Sequence, residues 1–156
     1  MGKIVFMIVA SLAICSSVFS QKLTNSQKEK ITSEITADFE KNVKAAESID
    51  IKGIANCVND TLKVGFIDNG FFFNSFGEVM KRFEVGINGV KSQKYSFSNK
   101  KITVLADNVA LLTASGDFSM ALEDGRTFNG KFAWTFVYSK IDNNWKIIHS
   151  HMSNPK

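Results

Sequence analysis

Apolar residues recur at every fourth position through Ile31, Ile35, Phe39 and Val43, a stripe that predicts a long amphipathic helix. Ser26 followed three residues later by Glu29 has the spacing of a capping box at its start. Asp50 can cap a short second helix whose apolar positions are Ile51, Ile54, Cys57 and Val58. Lys63 to Ile67 reads as a strand, Asp68-Asn69-Gly70 as a tight turn, and Phe71 to Phe73 as the return strand of a hairpin. A second capping pair, Ser75 and Glu78, opens a third helix with Phe76, Met80, Phe83, Ile87 and Val90 along one face.

From there the period drops to two. Four strands follow, Lys94 to Leu105, Val109 to Met120, Arg126 to Ser139 and Trp145 to Met152, joined by turns short enough to force antiparallel neighbours. On the third of them Phe128, Phe132, Trp134, Phe136 and Tyr138 share one side, and Thr135 and Val137 share the other. On the first, apolar parity switches from odd at Tyr95 and Phe97 to even at Ile102 and Val104. One extra residue near Asn99 to Lys101 explains the switch and predicts a β-bulge. The pattern describes an α+β domain: a strongly bent antiparallel sheet, made of a four-strand meander and a short hairpin, wrapped as a cone over three N-terminal helices.

Composition narrows the class. A chain of 156 residues, 44% hydrophobic and with one proline, is one globular domain rather than a disordered segment. Lys3, the apolar run from Ile4 to Ile14 and the small residue ending Val18-Phe19-Ser20 read as a signal peptide over residues 1–20, cut before Gln21. The single domain then spans 21–156 and is expected to be secreted or periplasmic, without membrane insertion after cleavage. Cleavage removes Cys15 and leaves Cys57 alone, so no intrachain disulfide can form, and Cys57 is expected to pack as a small hydrophobe. Losing Lys3 takes one unit from a net charge of +4, and the remaining lysines are scattered, which gives nucleic-acid binding no support.

The order of elements, closing on Trp145-Lys146-Ile147-Ile148-His149-Ser150-His151-Met152-Ser153, resembles the nuclear transport factor 2-like superfamily and, within it, the SnoaL-like and ketosteroid-isomerase-like group. The resemblance implies a conical cavity between sheet and helices and a homodimer formed through the sheet's outer face. Leu111, Thr113, Thr135 and Val137 supply a mixed patch suited to that role. The superfamily includes isomerases, cyclases, dehydratases and non-catalytic modules, so fold alone does not choose among them.

Two function classes stay open. The first is a secreted domain that holds a small apolar or amphipathic molecule in an aromatic-lined cavity; its candidate lining is Phe71, Phe73, Phe76, Tyr95, Phe118, Phe132, Trp134, Phe136, Tyr138 and His149. The second is an isomerase- or cyclase-type enzyme. Its acid/base would be His149 or His151, which by strand parity share a side with Trp145, and its donor Tyr138 or Tyr95. Aromatic lining is abundant and polar constellations are thin, which favours the first. No cofactor is implied, and the histidine pair lacks a third metal ligand at a telling spacing, Asp117 being the one candidate. Asp68 is accounted for by the turn it opens.

Overall fold

A computed structural model describes residues 22–155. Residues 1–20, expected from sequence to be a signal peptide, and with them Cys15, lie outside the described residues. Helix α1 (Asn25–Glu47) begins at a capping box, but the pair is Thr24 and Gln27 rather than Ser26 and Glu29. Both pairs have the required spacing; Thr24 has the extended backbone that an N-cap needs, whereas Ser26 is already helical. Asp50 caps α2 (Ile51–Asn56) by accepting the Gly53 N–H. Ser75 caps α3 (Phe76–Gly86), and the Glu78 carboxylate reaches back to the Asn74 N–H.

The hairpin is β1 (Phe66–Asp68) and β2 (Phe71–Phe73), shorter than the sequence suggested, and its turn residues Asn69 and Gly70 both have positive φ, 49° and 82°. The meander is β3 (Val90–Ala106), β4 (Val109–Leu122), β5 (Thr127–Ile141) and β6 (Asn144–Ser153). All six strands form one open sheet in the order β2-β1-β6-β5-β4-β3. One junction departs from the antiparallel rule: β1 lies parallel to β6, with Ile67 opposite His151. The architecture is therefore a mixed α+β fold in which the helices pack against a bent six-strand sheet.

Two of the sheet's register shifts decide which way the site-region side chains face. In β3 the register slips between Phe97 and Asn99, so the extra residue is Ser98, just before the Asn99 to Lys101 stretch expected from the parity switch, and Tyr95, Phe97, Ile102 and Val104 all turn to the helices. In β6 the pairs Val137–His149 and Tyr138–Ile147 leave Ile148 as a second extra residue. Trp145 and Ile147 then face the core, and beyond the bulge it is Ser150 and Met152, opposite Phe136 and Trp134, that do so. Simple alternation, which puts Trp145 with the two histidines, fails here. His149 and His151 sit with Val137 and Thr135 on the outer face.

The core lies between α1 and the sheet. Ile31, Ile35 and Phe39 from the predicted stripe are buried against Leu112, Phe132, Phe136, Tyr138 and Ile147. At one end Glu34 ties α1 to β5 and β6, because its carboxylate accepts the Trp145 indole N–H at 2.7 Å and the Lys140 ammonium at 3.2 Å. The indole hydrogen bond first, and then Lys140, hold the Glu34 carboxyl below its ordinary range. A depressed carboxylate adds stability above its unfolded pKa and loses it as pH falls through the folded one. Glu34 is part-exposed, so the expected contribution is about 1 kcal/mol. Urea titrations of wild type and Glu34→Gln should differ by that amount at pH 7 and converge as pH falls through the lowered Glu34 pKa; a difference that stays constant as Glu34 becomes protonated would disprove the assignment.

Candidate functional site

The bend of the sheet leaves a cavity of about 580 Å³ between its concave face and the helices. Its apolar wall comes from Phe76, Val79, Met80 and Phe83 on α3 and Ile87 at its C-cap, facing Tyr95, Phe118, Met120, Trp134 and Phe136 on the sheet. Asn42 and Ala46 of α1 and Ile54 of α2 close the far side. Trp134 is the hub of the aromatic wall: Tyr95 meets it edge-on at 4.8 Å, and Phe132 and Phe136 lie at 4.3 and 5.8 Å.

Polar groups are few and placed at two points. Inside, the Tyr95 hydroxyl is 3.4 Å from Gln93 Oε1, and the Gln93 amide donates to the Ala46 carbonyl at the end of α1. Burial, and secondarily the negative charge of Glu47, pushes the Tyr95 phenol up to about 12, so it stays neutral and can donate at physiological pH. At the mouth, Asp68 and Arg82 pair at 3.4 Å, and the Arg82 guanidinium also lies 4.4 Å over the Phe71 ring. Burial raises the Asp68 pKa, and the adjacent Arg82 offsets part of that rise. The same mouth is held by the Asn154 N–H donating to Asn69 Oδ1 at 2.7 Å, which ties the C-terminal tail to the hairpin turn.

Five of the sequence-predicted lining residues converge on this cavity: Phe76, Tyr95, Phe118, Trp134 and Phe136. Phe132 is packed behind them in the core, Phe73 stands half-buried on the hairpin, and Phe71 is exposed under Arg82. Tyr138 is core, with its ring opposite Ile147 and away from the cavity wall. His149 and His151 are on the convex side. His149 Nδ1 is 2.8 Å from the Gly65 carbonyl oxygen, and because a carbonyl can only accept, Nδ1 carries the proton. His151 borders a shallow outer groove with Lys101, Thr113 and Thr135. Among the described residues no group of three His, Cys, Asp or Glu could hold a metal ion.

Sequence reading named Phe76 from α3 as lining but missed the rest of that wall, Gln93, and the Asp68–Arg82 pair. The helical stripe Phe76, Met80, Phe83 and Ile87 was visible as a buried face, but nothing local says that it faces a hollow. Asp68 satisfies a turn and lines a cavity at once, and the turn accounts for it completely at the level of sequence.

A family model described as a SnoaL-like domain matches residues 35–156. No curated protein sequence matches the chain. Among solved structures, a nuclear transport factor 2-like superfamily protein from Salmonella enterica superposes with a TM-score of 0.73 at 18% identity, covering 83% of this chain and 94% of that one. A candidate scytalone dehydratase from Novosphingobium aromaticivorans gives 0.75 at 10% identity, covering 85% and 89%. A nuclear transport factor 2-like protein of unknown function from Pseudomonas putida gives 0.68 at 19% identity, covering 81% and 88%. At such identities the structural likenesses speak to fold alone; with the family match over most of its length, the chain belongs to the SnoaL-like domain family of the nuclear transport factor 2-like superfamily.

Proposed function

We propose that the protein is an exported binding domain that holds a small apolar or amphipathic molecule in the concave cavity, and that it pairs with a second copy through the outer sheet face around Leu111, Thr113, Thr135 and Val137. The observation that carries the reading is the cavity itself. A volume of about 580 Å³ with an aromatic and aliphatic wall, one neutral phenol inside and one ion pair at the mouth suits a ligand with an apolar body and a polar end. The signal-peptide pattern of residues 1–20 supports export.

Native mass spectrometry of protein purified from the cells that make it tests all three parts. The expected species is a dimer of chains starting at Gln21, each carrying an extra mass that collisional activation removes. A protein that is empty in every preparation, and whose Trp134 emission responds to no long-chain amphiphile, would sink the binding reading. Filling the hollow gives the matching mutant test: Met80→Trp should abolish amphiphile binding, more than a 10-fold loss, while the thermal midpoint stays within a few degrees.

A second reading, an isomerase- or cyclase-type enzyme, is favoured by one observation: Asp68, a carboxyl with a burial-raised pKa, lines the same cavity as the Tyr95 phenol. His149 and His151 would serve that chemistry only from the convex side. Retention of any turnover in Asp68→Asn at wild-type rate would dismiss it.

A further inference from the structure

Two polar side chains on the inner wall of the concave cavity, Gln93 and Tyr95, are poorly satisfied by each other. Gln93 is 6% exposed, and a buried amide is held where its hydrogen bonds dictate. Its orientation follows from chemistry. The Ala46 carbonyl can only accept, so the Gln93 nitrogen points to the end of α1 and Oε1 points the other way, to the Tyr95 hydroxyl. The 3.4 Å between these two oxygens is well beyond the roughly 2.8 Å of a full O–H···O hydrogen bond. Tyr95 itself is half-buried and lines the cavity beside Gln93. The wall therefore offers one donor and one acceptor side by side, each with capacity left over.

The charge around this pair is negative. α1 ends here, and its last carbonyls, that of Ala46 among them, carry the negative end of the helix dipole. The Glu47 carboxylate accepts the Tyr95 backbone N–H at 2.9 Å from behind the wall, without lining the cavity. Asp68 and Arg82 are the charged residues that do line it, and they are paired with each other at the mouth, while Asn42, Asn69 and Asn154 are neutral. A carboxylate or phosphate brought to the inner end would meet no cation and a nearby negative field. An ammonium would find no carboxylate on the inner wall. An ion without a partner is not taken from water into such a place. An ether oxygen can accept from Tyr95 but leaves Gln93 Oε1 without a donor. A hydroxyl serves both.

Resting on the binding reading above, we infer that the ligand of this cavity is an uncharged alcohol seated hydroxyl first, its O–H donating to Gln93 Oε1 and its oxygen accepting from the Tyr95 phenol, with the apolar body along Trp134, Phe136 and α3. Tyr95 and Gln93 then set the ligand class, and acids and amines of the same shape are refused.

The test compares four ligands of one chain length: octanol, methyl octyl ether, octanoate and octylammonium. Each is titrated at pH 7 into protein refolded from urea, so that the cavity starts empty, with binding read by calorimetry. Octanol should bind about tenfold more tightly than any of the other three. Tyr95→Phe, which keeps the ring against Trp134, should weaken octanol and the ether alike, by about tenfold for octanol. Gln93→Leu should weaken octanol and leave the ether unchanged, so the alcohol-to-ether ratio falls towards one. A merely structural role for Gln93 would move both ligands together. Equal affinity for octanol and the ether, tighter binding of octanoate or octylammonium, or unchanged octanol affinity in a folded Tyr95→Phe protein would overturn the alcohol assignment and leave the binding reading standing. Failure of all four to bind the folded protein would remove both.

Discussion

Phe39→Ala should cost about 4 kcal/mol, which brings a domain of ordinary stability close to unfolding at 37 °C. Phe39 is 1% exposed and sits where α1 presses into the concavity of the sheet. Its ring meets Phe97 edge-on at 5.3 Å and Phe136 at 6.1 Å, so it bridges β3 and β5 from above. The Lys100 ammonium lies 5.7 Å over the same ring, on the opposite side of the Ser98 bulge from Phe97. None of these neighbours can collapse into the space: Phe97 and Phe136 are held by their own strands and by Phe132 and Trp134. The lost transfer energy is therefore compounded by a persistent void. Urea denaturation should show a lower midpoint at unchanged slope, and Phe39→Leu should recover more than half of the loss. A cost under about 1 kcal/mol would mean that α1 does not pack on the sheet as described.

What could be read from sequence follows the range of the interaction that decides it. The α1 stripe, the Asp50 cap, the Asn69-Gly70 turn and the β3 bulge are all local, and each leaves a local mark, the bulge as a change of parity between Phe97 and Ile102. The β6 bulge leaves none. Ile147 and Ile148 are both apolar, so alternation runs through them unbroken whichever is the extra residue. That single ambiguity moves two histidines from the concave to the convex face. The parallel pairing of β1 with β6 and the reach of Glu34 to Trp145 join residues far apart in the chain, where no periodicity reports. The cavity is of the same kind: α3 reads as an amphipathic helix, but whether its apolar face is filled or hollow depends on the curvature of a sheet that it hardly touches.

Gly116 lies beside the β3 bulge, and Gly116→Ala is the substitution that should disturb it. Gly116 pairs with Phe97 immediately before the extra residue Ser98, and with Phe132 on the other side. A methyl group added there would fall on the Ser96 carbonyl oxygen and come within 2.9 Å of the Ser96 carbonyl carbon and 3.0 Å of Phe97 Cα. These are backbone atoms with no rotamer to retreat into, so the glycine marks a place where two strands touch. Either the bulge opens or β3 parts from β4. The expected cost is about 3 kcal/mol, at the upper end for overpacking, or about 10 °C in Tm. Gly77→Ala is the control: its added carbon would meet only Ser75 Oγ at 3.9 Å, in the exposed first turn of α3, and it should stabilise by up to about 1 kcal/mol. The functional effect should exceed the thermodynamic one. Tyr95 and Phe118 face each other across this same pair of strands and line the cavity, so a flattened bulge shifts both out of the wall. At a temperature where Gly116→Ala remains folded by circular dichroism, amphiphile binding read by Trp134 emission should fall at least tenfold. Wild-type affinity in that folded protein would show that the hollow does not depend on the bend.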